Sequence, residues 1–332
     1  MDLNLQISIL LFALAAVAIV FSAVFLTTAA DIIATRMNLG RLWVGSLLLA
    51  GATSLPELAT AVAAALAGSA NLAAGNMLGA NMLNMSNLAI ILAVFGGRKV
   101  FQLLAPQQSL VAFSALSLTA LATLFIVVGG SFTVGVVSMA GVAIIVAYLV
   151  LSGILRRYSA GLEEDEDESD ASSTHSLTWA WAVFTACAAV IFISGPLLAV
   201  TAQRIADLTG VGASFIGVLA LAMVTTLPEL TTTITAFRIG AHNMAVANMY
   251  GTNSFNIAAL GFADLFYSGD SLFANQDPSN LAAGLFAVLL MSIGMVQILL
   301  RRPLKRFSLI EPSPPLFVGL YVLGLFMVFS LA

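Results

Sequence analysis

The sequence predicts an all-α membrane protein in which ten transmembrane helices form two inverted five-helix repeats. The composition excludes a soluble domain, because 60% of the 332 residues are hydrophobic and only 8% are charged, with a mean hydropathy of +1.04. Apolar runs of about 20 residues are long enough to cross a hydrocarbon core of roughly 30 Å as helices. A motif that occurs twice divides the chain into two related halves.

Ten apolar runs give the predicted spans. The first run lacks a basic leader and a cleavage site, so we interpret it as a retained helix and not as a removed signal peptide. Cys187, the single cysteine, lies inside the sixth span and is predicted to be a packing residue. The spans are 7–30, 41–67, 74–96, 108–129, 133–155, 177–201, 212–238, 243–266, 281–300 and 314–331.

An acidic segment at 158–176 separates the first half, residues 1–157, from the second half, residues 177–332. Between Glu163 and Asp170 it has no apolar residue that could bury a face, which predicts a solvated linker. A regulatory calcium site is the alternative, although the segment lacks the ligand spacing of an EF-hand loop.

Basic residues predict the orientation in the membrane, because short loops rich in Lys and Arg stay on the cytoplasmic side. Eleven of the twelve Lys and Arg residues fall in alternate loops, and only Arg204 falls in the other set. This asymmetry predicts that both termini lie outside and that the acidic segment is cytoplasmic, in a plasma or inner membrane. The eleven are Arg36, Arg41, Arg98, Lys99, Arg156, Arg157, Arg238, Arg301, Arg302, Lys305 and Arg306.

The segment GATSLPEL at 51–58 has a counterpart 172 residues later, VTTLPEL at 224–230. From residue 51 onward, 15 of 34 positions are identical at this offset, which also aligns NMLGANMLN (76–84) with NMYGTNSFN (248–256). Each half contains five spans, and an odd number inverts the second half relative to the first. Inverted repeats are typical of secondary transporters, whose ion sites lie near the midplane in helices broken by Gly or Pro.

Pro56 is predicted to break the second span, and Pro228 is predicted to break the seventh. A proline cannot donate a backbone hydrogen bond and crowds the carbonyl four residues earlier, which frees the carbonyl oxygens of Ala52 and Val224. We expect two half-helices joined by an unwound segment at each position. Such a break is tolerated only where protein or a hydrated cavity covers it.

Glu57 and Glu229 follow these prolines and are the acids nearest the centres of long spans. An ionised carboxylate at that depth costs roughly 3 kcal/mol, and no Lys or Arg lies at a comparable depth in the predicted spans. A bound cation or a proton is therefore the expected partner. The alternative is that each glutamate is simply protonated and hydrogen-bonded to a neighbouring helix.

Side chains that carry hard oxygen donors accompany both glutamates. Such donors suit calcium, whereas zinc or copper sites favour thiolate or imidazole ligands. Asn81 cannot share a narrow helix face with both Asn76 and Asn84 at roughly 100° per residue, so we assign Asn84 to the ion and expect Asn81 to tie helices together. Methionines in the same runs fit flexible packing better than a soft-metal path. The oxygen donors are Thr53, Ser54, Asn84, Thr225, Thr226 and Asn256.

The paired G-x-T-S-L-P-E and G-N-x-x-G-[ST]-N-x-x-[ND] blocks resemble the two alpha-repeats of the calcium/cation antiporter superfamily, whose best-known branch is the sodium/calcium exchangers. These blocks cover 51–84 and 224–256, and the five-plus-five layout agrees over the rest of the chain. The resemblance implies alternating-access exchange at a central calcium site flanked by sodium sites. It implies that calcium is held by Glu57, Glu229, Thr53 and Thr225.

The resemblance also implies the composition of the flanking sodium sites. Two residues depart from the family pattern: Ala80 replaces the usual serine, and Asn256 replaces an aspartate that many microbial relatives have. One site would use the Ala52 carbonyl, Thr53, Ser54 and position 80, and the other would use the Val224 carbonyl, Thr225, Thr226 and Thr252.

The sequence favours an antiporter over two other classes of function, a channel and an intramembrane hydrolase. A channel would more often be a symmetric oligomer than two inverted halves of one chain. An intramembrane hydrolase would need an acid pair around a water, not a shell of hydroxyls and amides. We expect no cofactor and no nucleic-acid partner, only transported calcium and sodium and the lipid bilayer. Sodium is the favoured coupling ion, and proton-coupled exchange of calcium or another divalent cation is the alternative.

Overall fold

The computed structural model describes residues 4–37, 39–95, 104, 106–129, 133–134, 137–159, 175–209, 226–300 and 314–331. Nearly all of these residues are helical. The helices are α1 (Leu5–Met37), α2 (Arg41–Thr53), α3 (Leu55–Leu66), α4 (Ala70–Phe95), α5 (Gln108–Val128), α6 (Met139–Ser159), α7 (Leu177–Thr209), α8 (Leu227–Arg238), α9 (His242–Asp264), α10 (Pro278–Leu300) and α11 (Pro314–Leu331).

The prediction of an all-α membrane protein is confirmed. Among the described residues, six helices are each long and apolar enough to cross a bilayer, and the bent pair α2 and α3 adds a seventh span. Helix α9 carries many polar side chains but is almost completely buried, which makes it the central helix of the bundle. The helices match the predicted spans, of which the seventh is described only from residue 226.

Three spans differ from their predicted limits. The fifth begins at Met139 and not at 133, because β1 (Thr133–Val134) and β2 (Val137–Ser138) pair as antiparallel strands before it. Helices α1 and α7 each have 33 residues. At about 1.5 Å per residue each exceeds the roughly 30 Å of a hydrocarbon core, so both must tilt or extend beyond it.

The break in the second span is narrower than expected. Helices α2 and α3 meet at a bend of 50°, and Ser54 is the single residue between them. Because the Ser54 N–H still donates to the Ala50 carbonyl and the Leu58 N–H donates to the Ser54 carbonyl, the chain turns without an extended unwound segment. Pro56 lies in the first turn of α3, where the missing N–H of a proline is tolerated.

The two halves repeat each other in local conformation at the 172-residue offset. Ser54, before α3, has φ −92° and ψ 9°, and Thr226, before α8, has φ −87° and ψ 7°. Helices α3 and α8 both have 12 residues, and each is followed by a glycine in the left-handed region, Gly68 (φ 73°) and Gly240 (φ 78°). A left-handed glycine ends a helix without the steric cost that a Cβ would add.

Amide hydrogen bonds at the two ends of the bundle show how the halves are oriented. Asn280 at the start of α10 donates to the Asn71 side chain and carbonyl at the start of α4, at 3.2 and 3.1 Å. Gln108 at the start of α5 donates to the Asn243 carbonyl at the start of α9, at 2.6 Å. Phe95 at the end of α4 stacks on Phe237, whose ring also contacts His242 at the start of α9, so α4 and α9 run in opposite directions, in agreement with the predicted inversion.

Glycines allow α9 to cross α2 at very short distance. A Cβ on Gly45 would lie 2.6 Å from the Met244 carbonyl oxygen, and a Cβ on Gly251 would overlap the backbone of Ser46. Residues 44–49 form a π-helical turn at this crossing, a local widening that often occurs at functional sites. This close contact determines where Thr252 and Asn253, the two residues after Gly251 in α9, lie relative to α2.

A buried carboxylate holds the loop that follows α9 in place by hydrogen bonds. Asp264, 4% exposed, accepts hydrogen bonds from the Leu272 N–H at 2.5 Å and from the Ser271 hydroxyl at 3.2 Å. The Ser138 hydroxyl donates to Ser271 at 3.1 Å, which links this loop to the start of α6. The equivalent position in the first half is Leu92, which cannot accept a hydrogen bond.

We expect the substitution Gly251→Ala to destabilise the protein by about 1–3 kcal/mol, because the added methyl group meets backbone atoms that cannot turn aside. The measurement is thermal unfolding of purified protein in detergent. Gly153→Ala is the matched control, since no described atom lies within 4 Å of a Cβ at this exposed position of α6. Equal melting temperatures for the two variants would contradict the close crossing.

Candidate cation site

Two glutamates face the middle of the bundle from the first turns of α3 and α8. Glu57 is 3% exposed and Glu229 is 1% exposed. Each carboxylate benefits from the partial positive charge of its helix N-terminus. The Ser54 hydroxyl donates to Glu229 Oε1 at 3.3 Å, so the break in the first half contacts the carboxylate of the second half.

Each glutamate retains an oxygen that no described residue satisfies. Glu57 Oε2 and Glu229 Oε2 are both buried and have no hydrogen-bond partner in the part of the chain that the structure describes. A buried carboxylate oxygen without a partner is costly, because the low dielectric of the interior does not replace the lost water. A cation or a proton at these oxygens would remove that cost.

Two asparagines present buried amide oxygens where α4 and α9 are in contact. Asn84 on α4 and Asn256 on α9 are both fully buried. Their Nδ2 atoms donate at 3.0 Å to the Oδ1 atoms of Asn253 and Asn81, respectively. Their own Oδ1 atoms have no partner among the described residues. An amide that donates through its nitrogen to a neighbouring side chain and keeps its oxygen free can offer that oxygen to a cation.

The hydroxyl groups are distributed unequally between the halves. Thr53 is fully buried and donates to the Leu49 and Ala50 carbonyls, both at 3.1 Å, which leaves its lone pairs available. Thr252 is 1% exposed, and its Oγ1 has no partner among the described residues. Ala80 occupies the position equivalent to Thr252 and is 3% exposed, so a buried methyl group stands where the second half has a hydroxyl.

The other predicted ligands are described in part. Thr226, 2% exposed, is the residue before α8, and Ala52, 7% exposed, lies in the last turn of α2. Val224 and Thr225 lie outside the described residues. Asn248, the repeat of Asn76, is a functional candidate that the sequence pattern did not predict. Its Nδ2 donates to the hydroxyls of Thr232 and Thr233, at 3.0 Å each, and so extends the polar cluster beneath Glu229.

Asn81 joins α4 to α9, as expected from its position on the helix. Its Nδ2 donates to the Asn253 carbonyl at 3.1 Å and to the Thr119 hydroxyl at 3.4 Å. Asn253 makes the reciprocal bond to the Asn81 carbonyl at 3.4 Å. The two residues are 172 positions apart and lie on the pseudo-two-fold axis. The repeat aligns Asn253 with Asn81, but the sequence pattern predicts no separate role for Asn253.

The charge balance of this region favours a divalent cation. Arg36, Arg156, Arg157 and Arg238 lie in the last turns of their helices, whereas the two glutamates lie in the first turns of α3 and α8. Within the described ranges, no group of three or more His, Cys, Asp and Glu side chains could hold a metal by itself. Two carboxylates, two amide oxygens and several hydroxyls make a hard-oxygen environment of net charge −2 when both glutamates are ionised.

The sequence profile of the family described as "Sodium/calcium exchanger protein" matches residues 7–155 and 179–332. The chain belongs to this family. Membership places it among transporters and not among enzymes, and it identifies the molecule as an integral membrane antiporter for cations. The two matched stretches lie on either side of the acidic segment, one in each half.

Proteins of known sequence and structure are similar over most of the chain. CaxA of Alkalimonas amylolytica, provisionally named an antiporter, is 28% identical over 83% of this chain and 87% of its own length. The inner membrane protein YrbG of Escherichia coli (strain K12) is 26% identical over 93% of this chain and 91% of its own length. The sodium-calcium exchanger NCX_Mj, soaked with Na⁺ and Sr²⁺, superimposes with a TM-score of 0.71 at 18% identity, over 96% of this chain and 98% of that one, which establishes a shared fold.

We expect calcium to raise the melting temperature of the purified protein, because a ligand that binds only the folded state stabilises it by about 2.7 kcal/mol at 100 times its Kd. Glu57→Gln removes one of the two carboxylates and should abolish the calcium-dependent increase. Asp31→Asn is the matched control, since Asp31 pairs with Arg41 at the end of the bundle and has no part in the site. A calcium-dependent increase that persists in Glu57→Gln would contradict the site.

Proposed function

We propose that this antiporter exchanges calcium for sodium by alternating access, at a site between its two inverted halves. The observation that carries the proposal is the pair of buried glutamates at equivalent positions, Glu57 and Glu229, each with an oxygen unsatisfied by the described residues. Sites near the midplane between inverted repeats, at discontinuous helices, are typical of secondary transporters. The names of NCX_Mj and of the matched family support calcium and sodium as the exchanged ions.

Charge neutrality supports exchange and not simple release. One calcium ion balances two carboxylates, whereas an empty site would leave both charges in a low dielectric. The return step is therefore favoured when other cations replace calcium. Two sodium ions restore the same charge, and so do two protons on Glu57 and Glu229.

We favour sodium over protons because hydroxyl groups accompany the carboxylates. A proton needs only the two carboxylates, whereas sodium requires several oxygen ligands. The Thr252 hydroxyl has no partner among the described residues, and the Thr53 lone pairs are available. We further propose that Ser54, Thr226, Thr225 and the carbonyl oxygens of Ala52 and Val224 contribute to the flanking sodium sites. A proton-coupled exchanger for calcium or another divalent cation is the second candidate.

We expect calcium flux in proteoliposomes to follow an imposed sodium gradient and to be insensitive to an imposed pH gradient. Glu57→Gln and Glu229→Gln should each abolish flux, since either change leaves a bound calcium with uncompensated positive charge. Asp31→Asn should retain transport. Flux that depends on the pH gradient and not on sodium would show that protons are the coupling ion. Near-normal flux in Glu229→Gln would contradict the assignment of the site.

Restoring the missing hydroxyl by Ala80→Ser should raise the apparent sodium affinity or steepen the sodium dependence of calcium efflux. The reason is that the first half lacks the oxygen that Thr252 supplies in the second half. Ala89→Ser adds a hydroxyl elsewhere on α4 and is the control, for which we expect an unchanged sodium dependence. Identical sodium titration curves for Ala80→Ser and the unmodified protein would contradict a role for position 80.

We propose that residues 1–157 and 177–332 are the two functional halves, joined by a cytoplasmic linker at 158–176, with both termini outside a plasma or inner membrane. Contacts at one end of the bundle support this orientation. Arg41 pairs with Asp31 at 2.7 Å, and the Arg156 guanidinium lies 5.9 Å from the centre of the Trp43 ring, so residues of two alternate basic loops share this end. The name of YrbG supports an inner-membrane location.

Protease protection tests this orientation. In intact cells the acidic segment should resist an added protease, and in inverted membrane vesicles it should be cut. The control is a protease site appended to the C-terminus, which should show the opposite pattern. Cleavage between 163 and 170 from the outer face of intact cells would reverse the assigned sides.

A further inference from the structure

We propose that Asn81 and Asn253 are positioning residues, each of which orients the amide of a cation ligand in the opposite half. Asn253 orients Asn84, and Asn81 orients Asn256, so that both amide oxygens face the ion. This inference rests on the proposed function, since it assigns a role to the residues around that same site.

The orientation of Asn81 is fixed by an atom that can only accept. Its Nδ2 lies 3.1 Å from the backbone carbonyl oxygen of Asn253, and a carbonyl oxygen requires a donor. The Thr119 hydroxyl, which donates to Met291 Sδ at 3.8 Å, accepts from the same Nδ2 at 3.4 Å. The amide nitrogen of Asn81 therefore donates two hydrogen bonds, and its Oδ1 must point in the opposite direction.

That Oδ1 determines how Asn256 is oriented. Asn81 Oδ1 accepts from Asn256 Nδ2 at 3.0 Å, so the Asn256 amide turns its nitrogen toward Asn81 and its oxygen away. The opposite rotamer would bring two amide oxygens together and expose the N–H groups toward the centre. Since Asn256 is fully buried, the side chain cannot escape that conflict by turning to solvent.

Asn253 makes the equivalent hydrogen bonds in the other half. Asn253 Nδ2 donates to the Asn81 carbonyl at 3.4 Å, and Asn253 Oδ1 accepts from Asn84 Nδ2 at 3.0 Å. The Asn84 oxygen is left without a partner among the described residues, as is the Asn256 oxygen. Two independent copies of one arrangement, related by the repeat, point to orientation of the amides and not to a chance contact.

The bonds cross between the halves. The ligand on α4 is oriented by a residue of α9, and the ligand on α9 is oriented by a residue of α4. A variant at Asn253 should therefore act through Asn84, although the two residues belong to different repeats. A purely structural contact between helices predicts no such pairing, because loss of helix packing would affect all ligands together.

A double-mutant cycle on the full-length protein in proteoliposomes tests the inference. We expect Asn253→Ala to raise the KM for calcium between about three- and tenfold, the loss expected when a ligand is no longer held in place, with a smaller change in the maximal rate. In an Asn84→Ala background, Asn253→Ala should raise KM no further. In an Asn256→Ala background, the increase should persist.

Asn280→Ala is the control for a structural effect. It removes the amide pair with Asn71 at the end of the bundle, so it should lower the melting temperature and leave the KM for calcium unchanged. If Asn253→Ala does not fold, the cycle of Asn81→Ala with Asn256→Ala is the independent test, with the same expected pattern.

Additive effects of Asn253→Ala and Asn84→Ala on KM, or an unchanged KM in Asn253→Ala, would overturn the positioning role. Failure of the proposed function has a different signature, because calcium transport would then survive Glu57→Gln. Loss of transport in Glu57→Gln together with an additive Asn84 and Asn253 cycle would overturn this inference alone.

Discussion

Two carboxylates that approach each other in the interior of a membrane protein impose the main physical constraint on this molecule. Glu57 and Glu229 lie in helical first turns, where the helix dipole stabilises negative charge, whereas Arg36, Arg156, Arg157 and Arg238 lie in the last turns of their helices. The mutual repulsion of the two carboxylates and the loss of water would destabilise the fold if nothing compensated them. We propose that a cation does so at the location formed by the proline-initiated helices, the buried amides and the crossing of α2 and α9.

The narrow break in the second span meets the same constraint with few unpaired backbone groups. A long unwound segment would expose many backbone groups that lipid cannot satisfy. The bend at Ser54 interrupts the second span at one residue and retains the hydrogen bonds on either side of it. The chain thereby turns Glu57 toward the centre while leaving few backbone groups unpaired.

The sequence predicted the helical architecture, the repeat and the glutamates because these leave strong local signals. Apolar length determines the spans, and the 172-residue offset relates Pro56 to Pro228 and Asn81 to Asn253. The narrow bend at Ser54, the late start of α6 and the crossed bonds of Asn84 and Asn256 could not be predicted. They depend on contacts between segments far apart in the chain, such as the bond between Asn84 and Asn253, and on side-chain orientations that no spacing encodes.

The hydrogen bonds of Asp264 to the loop after α9 affect which conformation the transporter adopts without a gradient. Exchanging the roles of two inverted halves converts an inward-facing conformation into an outward-facing one, so a perfectly repeated sequence would give both conformations equal free energy. Leu92 occupies the position equivalent to Asp264, and the bonds to Ser271 and Leu272 therefore stiffen one half at a place where the other has an apolar side chain. Sequence divergence of this kind makes the free energies of the two conformations unequal. A free-energy difference of about 1.4 kcal/mol would already populate one conformation about tenfold over the other.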